Sequence, residues 1–254
     1  MSDAAAVSKA SGEPAGAGAL PRGSGRPSAR FDRSIIEGPL RAAVWKLAWP
    51  TMLANIIGGL LMLGFIGSLA QSAAAQAAFA ISYSQLFSLI TWTSLGLMGA
   101  AAACAGQNLG AGNPDRAIAS VHSAARLGLI VAGFVGLTFF FLPRQLLAVF
   151  GMSNPDVVTI GTQLLRVLSV SGLFITVALT FTGGLQGTGD TKSPLFISII
   201  SQVVLPLGIC FVIQQVSTLQ PIHIWIAILI GHATRCALSV MRFDQGKWRS
   251  IRVE

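Results

Sequence analysis

The chain has 254 residues, of which 53% are apolar and only 10% are charged. About a quarter of the residues in an ordinary soluble protein are charged, so this composition excludes a typical water-soluble globule and favours a membrane protein. The formal net charge of +8 does not indicate a nucleic-acid partner, because the cations lie at the edges of the apolar segments.

The first segment of the chain, residues 1–38, has a different composition from the rest. Its first 33 residues are rich in Ala, Gly, Ser and Pro, include five basic residues and offer almost nothing to bury, so we predict that it is disordered. It lacks the apolar central block of a signal peptide. We interpret it as a basic cytoplasmic tail or linker rather than a specific binding arm.

Two long stretches carry no charge: 68 residues at 47–114 and 42 residues at 193–234. A helix crosses a bilayer with about 20 residues, so each stretch must fold back once. Short polar segments at 70–76 and 214–221 mark the points where the chain turns. The sequence therefore predicts an all-α membrane domain over residues 39–243, followed by a basic cytoplasmic tail at 244–254. Its six spans are predicted at residues 43–69, 77–106, 117–142, 155–182, 194–214 and 222–243.

Two glycine-rich segments, residues 106–116 and 184–194, separate apolar spans. Each ends with a helix-start signal, since Asn113 or Ser193 can act as an N-cap before a proline. Glycine permits positive φ and close approach of helices, so we predict a hinge at each segment. The hinge residues are Gly110, Gly112, Gly187 and Gly189. Arg116 and Asp190 are candidates for a cytoplasmic gate held by ion pairs, with helix capping and anchoring at the membrane surface as the alternative.

The basic residues predict the orientation of the spans. Seven of the 17 lysines and arginines lie in the first 46 residues, up to the start of the first span, three lie at or beside the glycine segments and five lie at 235–252. All of these would fall on one side of the membrane. The excess of basic residues on the cytoplasmic side of membrane proteins then places both termini and both glycine segments in the cytoplasm.

A few polar residues interrupt the spans. Tyr83 and three amide side chains lie near the middle of apolar segments and are our candidates for substrate contacts, with hydrogen bonding between helices as the alternative for each: Asn55, Gln85 and Gln202. Arg166 is identified as the charge well inside a span. An ion within the membrane is costly enough to indicate function, although a long side chain can also extend to the interface.

Several kinds of site are missing from the sequence. No Asp or Glu lies away from the ends of the spans, so no carboxylate can be nominated for binding a proton or sodium ion. The three cysteines and three histidines are isolated, which gives neither a disulfide nor a metal-binding pattern. A nucleotide-binding lysine loop and a nucleophile–base pair are also missing, so we predict no cofactor, no metal and no enzymatic activity.

Three segments in order resemble signatures of the multidrug and toxic compound extrusion (MATE) family. They are GQNLGAGNPDRA at 106–117, GLQGTGDTK at 184–192, and the closing pair GH at 231–232 with RFDQGKWR at 242–249. The resemblance covers residues 40–252 and is to the C-terminal six-helix lobe only, whereas a family member has twelve spans.

The resemblance implies a secondary transporter in a bacterial plasma membrane. Such a protein exports drugs or organic cations in exchange for H+ or Na+ by alternating access between two lobes. The missing lobe would be a separate chain or a second copy of this one. A lipid or polysaccharide flippase of the same superfamily and a truncated, non-transporting remnant remain as alternatives.

Overall fold

The structure is a computed structural model that describes the backbone of residues 40–250. Side chains before Ile56 are described only at Trp45, Trp49, Met52 and Leu53. The predicted disordered segment 1–38, residues 251–254 of the predicted tail and the side chain of Asn55 therefore lie outside the described residues.

The described chain is all-α, as predicted. Residues 40–250 contain no strand and form six long helices, one short helix and a final 3₁₀ turn. In chain order they are α1 (Leu40–Gly67), α2 (Ser72–Gly110), α3 (Pro114–Phe141), α4 (Pro143–Val149), α5 (Pro155–Gly187), α6 (Lys192–Val216), α7 (Pro221–Asp244) and the turn Lys247–Ser250. Helices α2, α3, α5, α6 and α7 have the length and hydropathy of membrane spans, and the apolar part Ile56–Gly67 of α1 is shorter. The protein is thus a multi-pass membrane protein.

Prolines and caps explain where the helices begin. Helices α3, α4, α5 and α7 each start with proline, whose missing N–H costs no hydrogen bond in the first turn. The Asn154 side chain caps α5 by accepting hydrogen bonds from the backbone N–H groups of Asp156 at 2.9 Å and Val157 at 3.4 Å.

The connections between helices differ in detail from the prediction. The two fold-back turns are only residues 68–71 and 217–220, so most of the polar segment 70–76 is already helical. Helix α6 begins at Lys192. Ser193 therefore lies inside the helix and is not the N-cap that the sequence predicted. Instead, the Asp190 carboxylate accepts a hydrogen bond from the Ser193 backbone N–H at 3.1 Å. The Asp190 carboxylate lies outside the helix and can accept this bond, so Asp190 is a better cap for α6 than Ser193.

Helix α5 is the centre of the bundle. It packs against α2, α3 and α7, and 67% of its most apolar window is buried, compared with 22–39% in the other membrane-length helices. Leu164, Leu165 and Leu168 are fully buried. By contrast, α3 turns Ile130, Phe134 and other large apolar side chains outward. An apolar surface of this kind is suited to lipid, so the bilayer is the expected surrounding of the bundle.

The second glycine segment brings the α5 and α2 backbones into direct contact. A Cβ atom placed on Gly183 would lie 2.1 Å from the Met98 carbonyl oxygen, and one on Gly187 would lie 2.1 Å from that of Ala102. Glycines four residues apart allow two membrane helices to approach this closely. Gly187 is therefore a packing residue at the end of α5 and not part of a flexible turn.

The two turns that follow α2 and α5 are short. They comprise residues 111–113 and 188–191, and each contains one glycine with positive φ, Gly112 at +77° and Gly189 at +93°. Side chains with a Cβ rarely adopt this conformation, so these two positions require glycine for the turn. Gly110 is the last residue of α2, and open space surrounds the position of a Cβ there.

Candidate functional site

A cavity of about 290 Å³ lies between α1, α2, α6 and α7, and we call it the Tyr83 cavity. Apolar residues of α1, including Met62 and Leu63, form one wall. Its polar and aromatic lining consists of Phe79, Tyr83 and Ser84 from α2, Gln202 from α6 and His232 from α7. The arrangement combines a few polar groups with apolar walls, which is typical of sites for small molecules.

Two π-helical segments face this cavity. The segment Ala80–Leu86 carries Tyr83 and Ser84, and the segment Ile200–Val204 carries Gln202. In α6 the cause is visible in the sequence, because Pro206 has no N–H to donate and its ring crowds the carbonyl four residues earlier. The Leu205 N–H instead reaches the Ile200 carbonyl, a π-type bond. Such segments often occur at functional sites, because they rotate side chains away from the regular helical positions.

A stack of aromatic rings lies along one side of the cavity. The Tyr83 ring stacks between Phe79, at a centroid distance of 4.8 Å, and Phe87, at 5.3 Å. Phe87 in turn stacks on His232 of α7 at 5.6 Å. The face of an aromatic ring attracts a cation, so this stack is able to bind an organic cation that enters the cavity.

His232 carries a buried polar atom that lacks a hydrogen-bond partner. Its side chain is only 2% exposed, and Nδ1 has no hydrogen-bond partner among residues 40–250. Buried polar groups nearly always have a partner, so the ring needs a ligand or a water molecule in the cavity. Sequence analysis identified His232 as a polar residue that could line a cavity but did not include it among the substrate contacts, because nothing in a single sequence pairs α7 with this part of α2.

The structure brings together two of the predicted substrate contacts and separates others from them. Tyr83 and Gln202 both line the cavity. Gln85 is exposed outside the cavity, although it lies only two residues from Tyr83. Arg166 is exposed on α5, with its guanidinium carbon 5.9 Å from the centre of the Phe140 ring. Neither Gln85 nor Arg166 is therefore placed to contact a ligand in the Tyr83 cavity.

Replacing Arg166 with glutamine is expected to have a small effect. The substitution removes one exposed cation–π contact, which is worth about 0.5–1 kcal/mol. Thermal unfolding of the purified chain in detergent would measure the change in stability. A loss of stability well above that range would show that Arg166 has a buried or ligand-bound role.

The identification of Arg166 as the charge inside a span was incomplete. Arg235 lies well inside the 24-residue helix α7, and its Nε is buried. The sequence interpretation grouped Arg235 with the cytoplasmic tail, because a charge near the end of an apolar run resembles a boundary. Apolar residues such as Leu238 and Val240 continue beyond Arg235, and this was the signal in the sequence that could have identified it.

The predicted gate residues have different surroundings. Asp190 is 7% exposed and pairs with Arg242 of α7, with 2.7 Å between the carboxylate oxygen Oδ2 and Nη2. The Ser193 hydroxyl also donates to Oδ2, at 2.8 Å. Arg116 is exposed and forms no ion pair within the described part of the chain. The ion pair at the second glycine segment thus joins Asp190 to α7 and does not involve Arg116.

Comparison with known proteins gives consistent matches. The MatE family model matches residues 50–212. The probable multidrug resistance protein NorM of Thermotoga maritima is 27% identical over 207 residues, which are 81% of this chain and 44% of that protein. The chain therefore spans less than half the length of this relative.

Solved structures show the same fold. An outward-facing multidrug resistance MATE transporter superposes with a TM-score of 0.73 at 20% identity, over 87% of this chain and 49% of that one. An inward-facing structure of such a transporter gives 0.72 at 17% identity, over 90% and 51%. In both cases the six-helix bundle corresponds to about half of the solved chain.

Proposed function

Because the chain belongs to the MATE family, we propose that it forms one six-helix lobe of a membrane exporter for drugs or organic cations. The substrate class is that of the family, and the similarity of this chain to about half of each relative supports the assignment to a single lobe. The second lobe would be a separate chain or a second copy of this one, in a bacterial plasma membrane with both termini of this chain cytoplasmic.

The observation that carries this proposal is the aromatic stack in the Tyr83 cavity. The cavity lining contains three ring systems and no charged residue, so a cation entering the cavity meets aromatic side chains and no positive charge in the lining. Gln202 and Ser84 add polar groups for orientation, and the volume of about 290 Å³ suits part of a small organic molecule. The remaining surface of the substrate would contact the second lobe.

Coupling to H+ or Na+ forms part of the same proposal. In the described helices α1–α7, Asp and Glu occur only near the helix ends, which agrees with the sequence. A cation-coupled exporter needs a group that binds the ion and the substrate alternately. We therefore assign the coupling carboxylate to a second lobe encoded as a separate chain, because a second copy of this chain would supply none, and we assign substrate binding in part to this lobe.

Substitution of Tyr83 by alanine tests the site. Loss of one cation–π partner within a partly desolvated stack is expected to weaken binding of ethidium, a flat organic cation, by about 5–30-fold. Tyr83→Phe keeps the ring and is expected to retain most of the affinity. Fluorescence titration of the purified chain measures binding directly, without any need for the second lobe.

A matched control is available on the same helix. Trp92 is 67% exposed and outside the cavity, so Trp92→Ala is expected to leave ethidium binding unchanged. Equal affinities for the wild type and Tyr83→Ala would contradict the site.

Cells that co-express this chain with the second lobe should accumulate less ethidium, and this decrease should be lost when the ion gradient collapses. Unchanged accumulation there would favour the non-transporting remnant.

A further inference from the structure

A second cavity, of about 370 Å³, lies between α2, α5, α6 and α7 and shares no lining residue with the Tyr83 cavity. We call it the Arg235 cavity. Arg235 projects into it from α7, and Lys192 lines it at the start of α6. The other polar groups are neutral side chains that can donate hydrogen bonds: Thr182, Gln186, Thr191 and Ser198. No acidic residue lines it.

The positive charge of Arg235 has no acidic partner in the described structure. Its Nε is buried without a hydrogen-bond acceptor, and the side chain forms no hydrogen bond or ion pair with residues 40–250. Asp190 is close in sequence to Lys192, but its carboxylate is already engaged by Arg242 and Ser193. No acidic group in this part of the chain is therefore available to neutralise Arg235.

An unpaired guanidinium inside a membrane domain is costly. Removing an ion from water carries a penalty of several kcal/mol unless an opposite charge and further hydrogen bonds compensate for it. Ionisable residues within spans consequently mark sites where ligands or ions are bound. The planar guanidinium has donors in a fork that matches the two oxygens of a carboxylate or phosphate, so the missing partner has the chemistry of an oxyanion.

The remaining walls indicate what is attached to this oxyanion. Leu95, Met98, Leu179 and Leu195 line the same cavity, so an apolar surface adjoins the charged end. We propose that the Arg235 cavity binds the phosphate group of an amphipathic molecule, with Arg235 and Lys192 contacting the phosphate and these four side chains contacting the apolar part. The phosphate belongs either to an anionic phospholipid of the bilayer or to a soluble organic phosphate. The residues that line this site are distinct from those that line the Tyr83 cavity.

Binding can be measured on the purified full-length chain in an uncharged detergent. Native mass spectrometry would compare phosphatidylglycerol, zwitterionic phosphatidylcholine and glycerol phosphate, a soluble phosphate without acyl chains. We expect phosphatidylglycerol to be preferred over phosphatidylcholine by about 10-fold, because a charge-assisted pair contributes about 1.5–3 kcal/mol. Competition by glycerol phosphate at similar concentrations would assign the site to soluble phosphates, whereas displacement only by anionic lipid would assign it to the bilayer.

Three variants locate the binding at this cavity. Arg235→Gln is expected to abolish the preference for phosphatidylglycerol, and Lys192→Gln to reduce it about 3-fold because this lysine is exposed to solvent. Arg166→Gln removes a cation outside the cavity and should leave the preference intact. The proposal is overturned if the wild type does not distinguish the anionic ligands from phosphatidylcholine, or if Arg235→Gln retains the wild-type preference.

Stability and cation binding provide separate readouts. Arg235→Gln removes an uncompensated charge, so the ligand-free variant should unfold at a temperature no lower than the wild type, and added phosphatidylglycerol should stabilise only the wild type. If Arg235→Gln does not fold, Arg235→Lys retains the charge but loses the fork and should bind the anion more weakly. Ethidium titration of Lys192→Gln reports on the Tyr83 cavity, which Lys192 does not line, so failure of one site is distinguishable from failure of the other.

Discussion

Replacement of Gly187 with valine is expected to prevent the bundle from assembling. A Cβ at this position would lie 2.1 Å from the carbonyl oxygen of Ala102 and 2.7 Å from its carbonyl carbon. These are backbone atoms of α2, so the overlap cannot be relieved by rotating a side chain. Separation of α2 from α5 would open the most deeply buried interface of the lobe, at a cost above about 4 kcal/mol.

The measurement is the yield and monodispersity of a fluorescent fusion in detergent, followed by thermal unfolding of whatever material is recovered. Gly110→Val is the matched control, since nothing lies within 4 Å of a Cβ at Gly110 and valine is tolerated in helices at least as well as glycine. The glycines predicted as hinge residues are therefore expected to differ in their response to substitution. If Gly187→Val assembled with wild-type stability, the close α2–α5 contact would be wrong.

Replacement of Asp190 with asparagine is expected to cost about 2–4 kcal/mol of unfolding free energy. Breaking one side of a buried ion pair leaves the other charge uncompensated, which typically costs about 3–5 kcal/mol, and the partial exposure of Arg242 reduces this value. The change also weakens the cap of α6, because the carboxylate accepts from both the N–H and the hydroxyl of Ser193. Unfolding by a denaturing detergent would measure the loss.

A second ion pair provides the control for Asp190. Asp115 is 94% exposed and lies 3.8 Å from Arg249, so Asp115→Asn should change stability by less than about 1 kcal/mol. The variant Arg242→Gln should destabilise the protein like Asp190→Asn, and the double variant should lose less than the sum of the two. Additive losses would show that the two residues act independently and that the pair does not hold the turn to α7.

The spans and turns were predictable because hydropathy and glycine placement are local properties. Uncharged stretches set the number of long helices, and the motifs at residues 106–117 and 184–192 marked the turns on the cytoplasmic side of the proposed topology. Boundaries were less accurate where polar residues such as Gln76 continue a helix. A glutamine at a helix end costs little, so hydropathy alone does not place the boundary.

The candidate site was only partly predictable, because side-chain direction depends on packing. Tyr83 and Gln85 are equally plausible from sequence, but the π-helical segment turns Tyr83 to the cavity and leaves Gln85 exposed. The partners of Asp190 and Gly187 lie far away along the chain, in α7 and α2 respectively. Pairings of this kind are not contained in the pattern of any one segment.

The central position of α5 has a consequence for how the protein is made. This helix follows α1, α2 and α3 in the chain, yet α2 and α3 both pack against it. The earlier helices must therefore be inserted in the bilayer before their main partner is present. Until then they contact only lipid and one another. Synthesis of α5 is the step that converts these inserted segments into a lobe. Defects in this helix should consequently expose the nascent protein to the cell's membrane proteases before α6 and α7 are inserted.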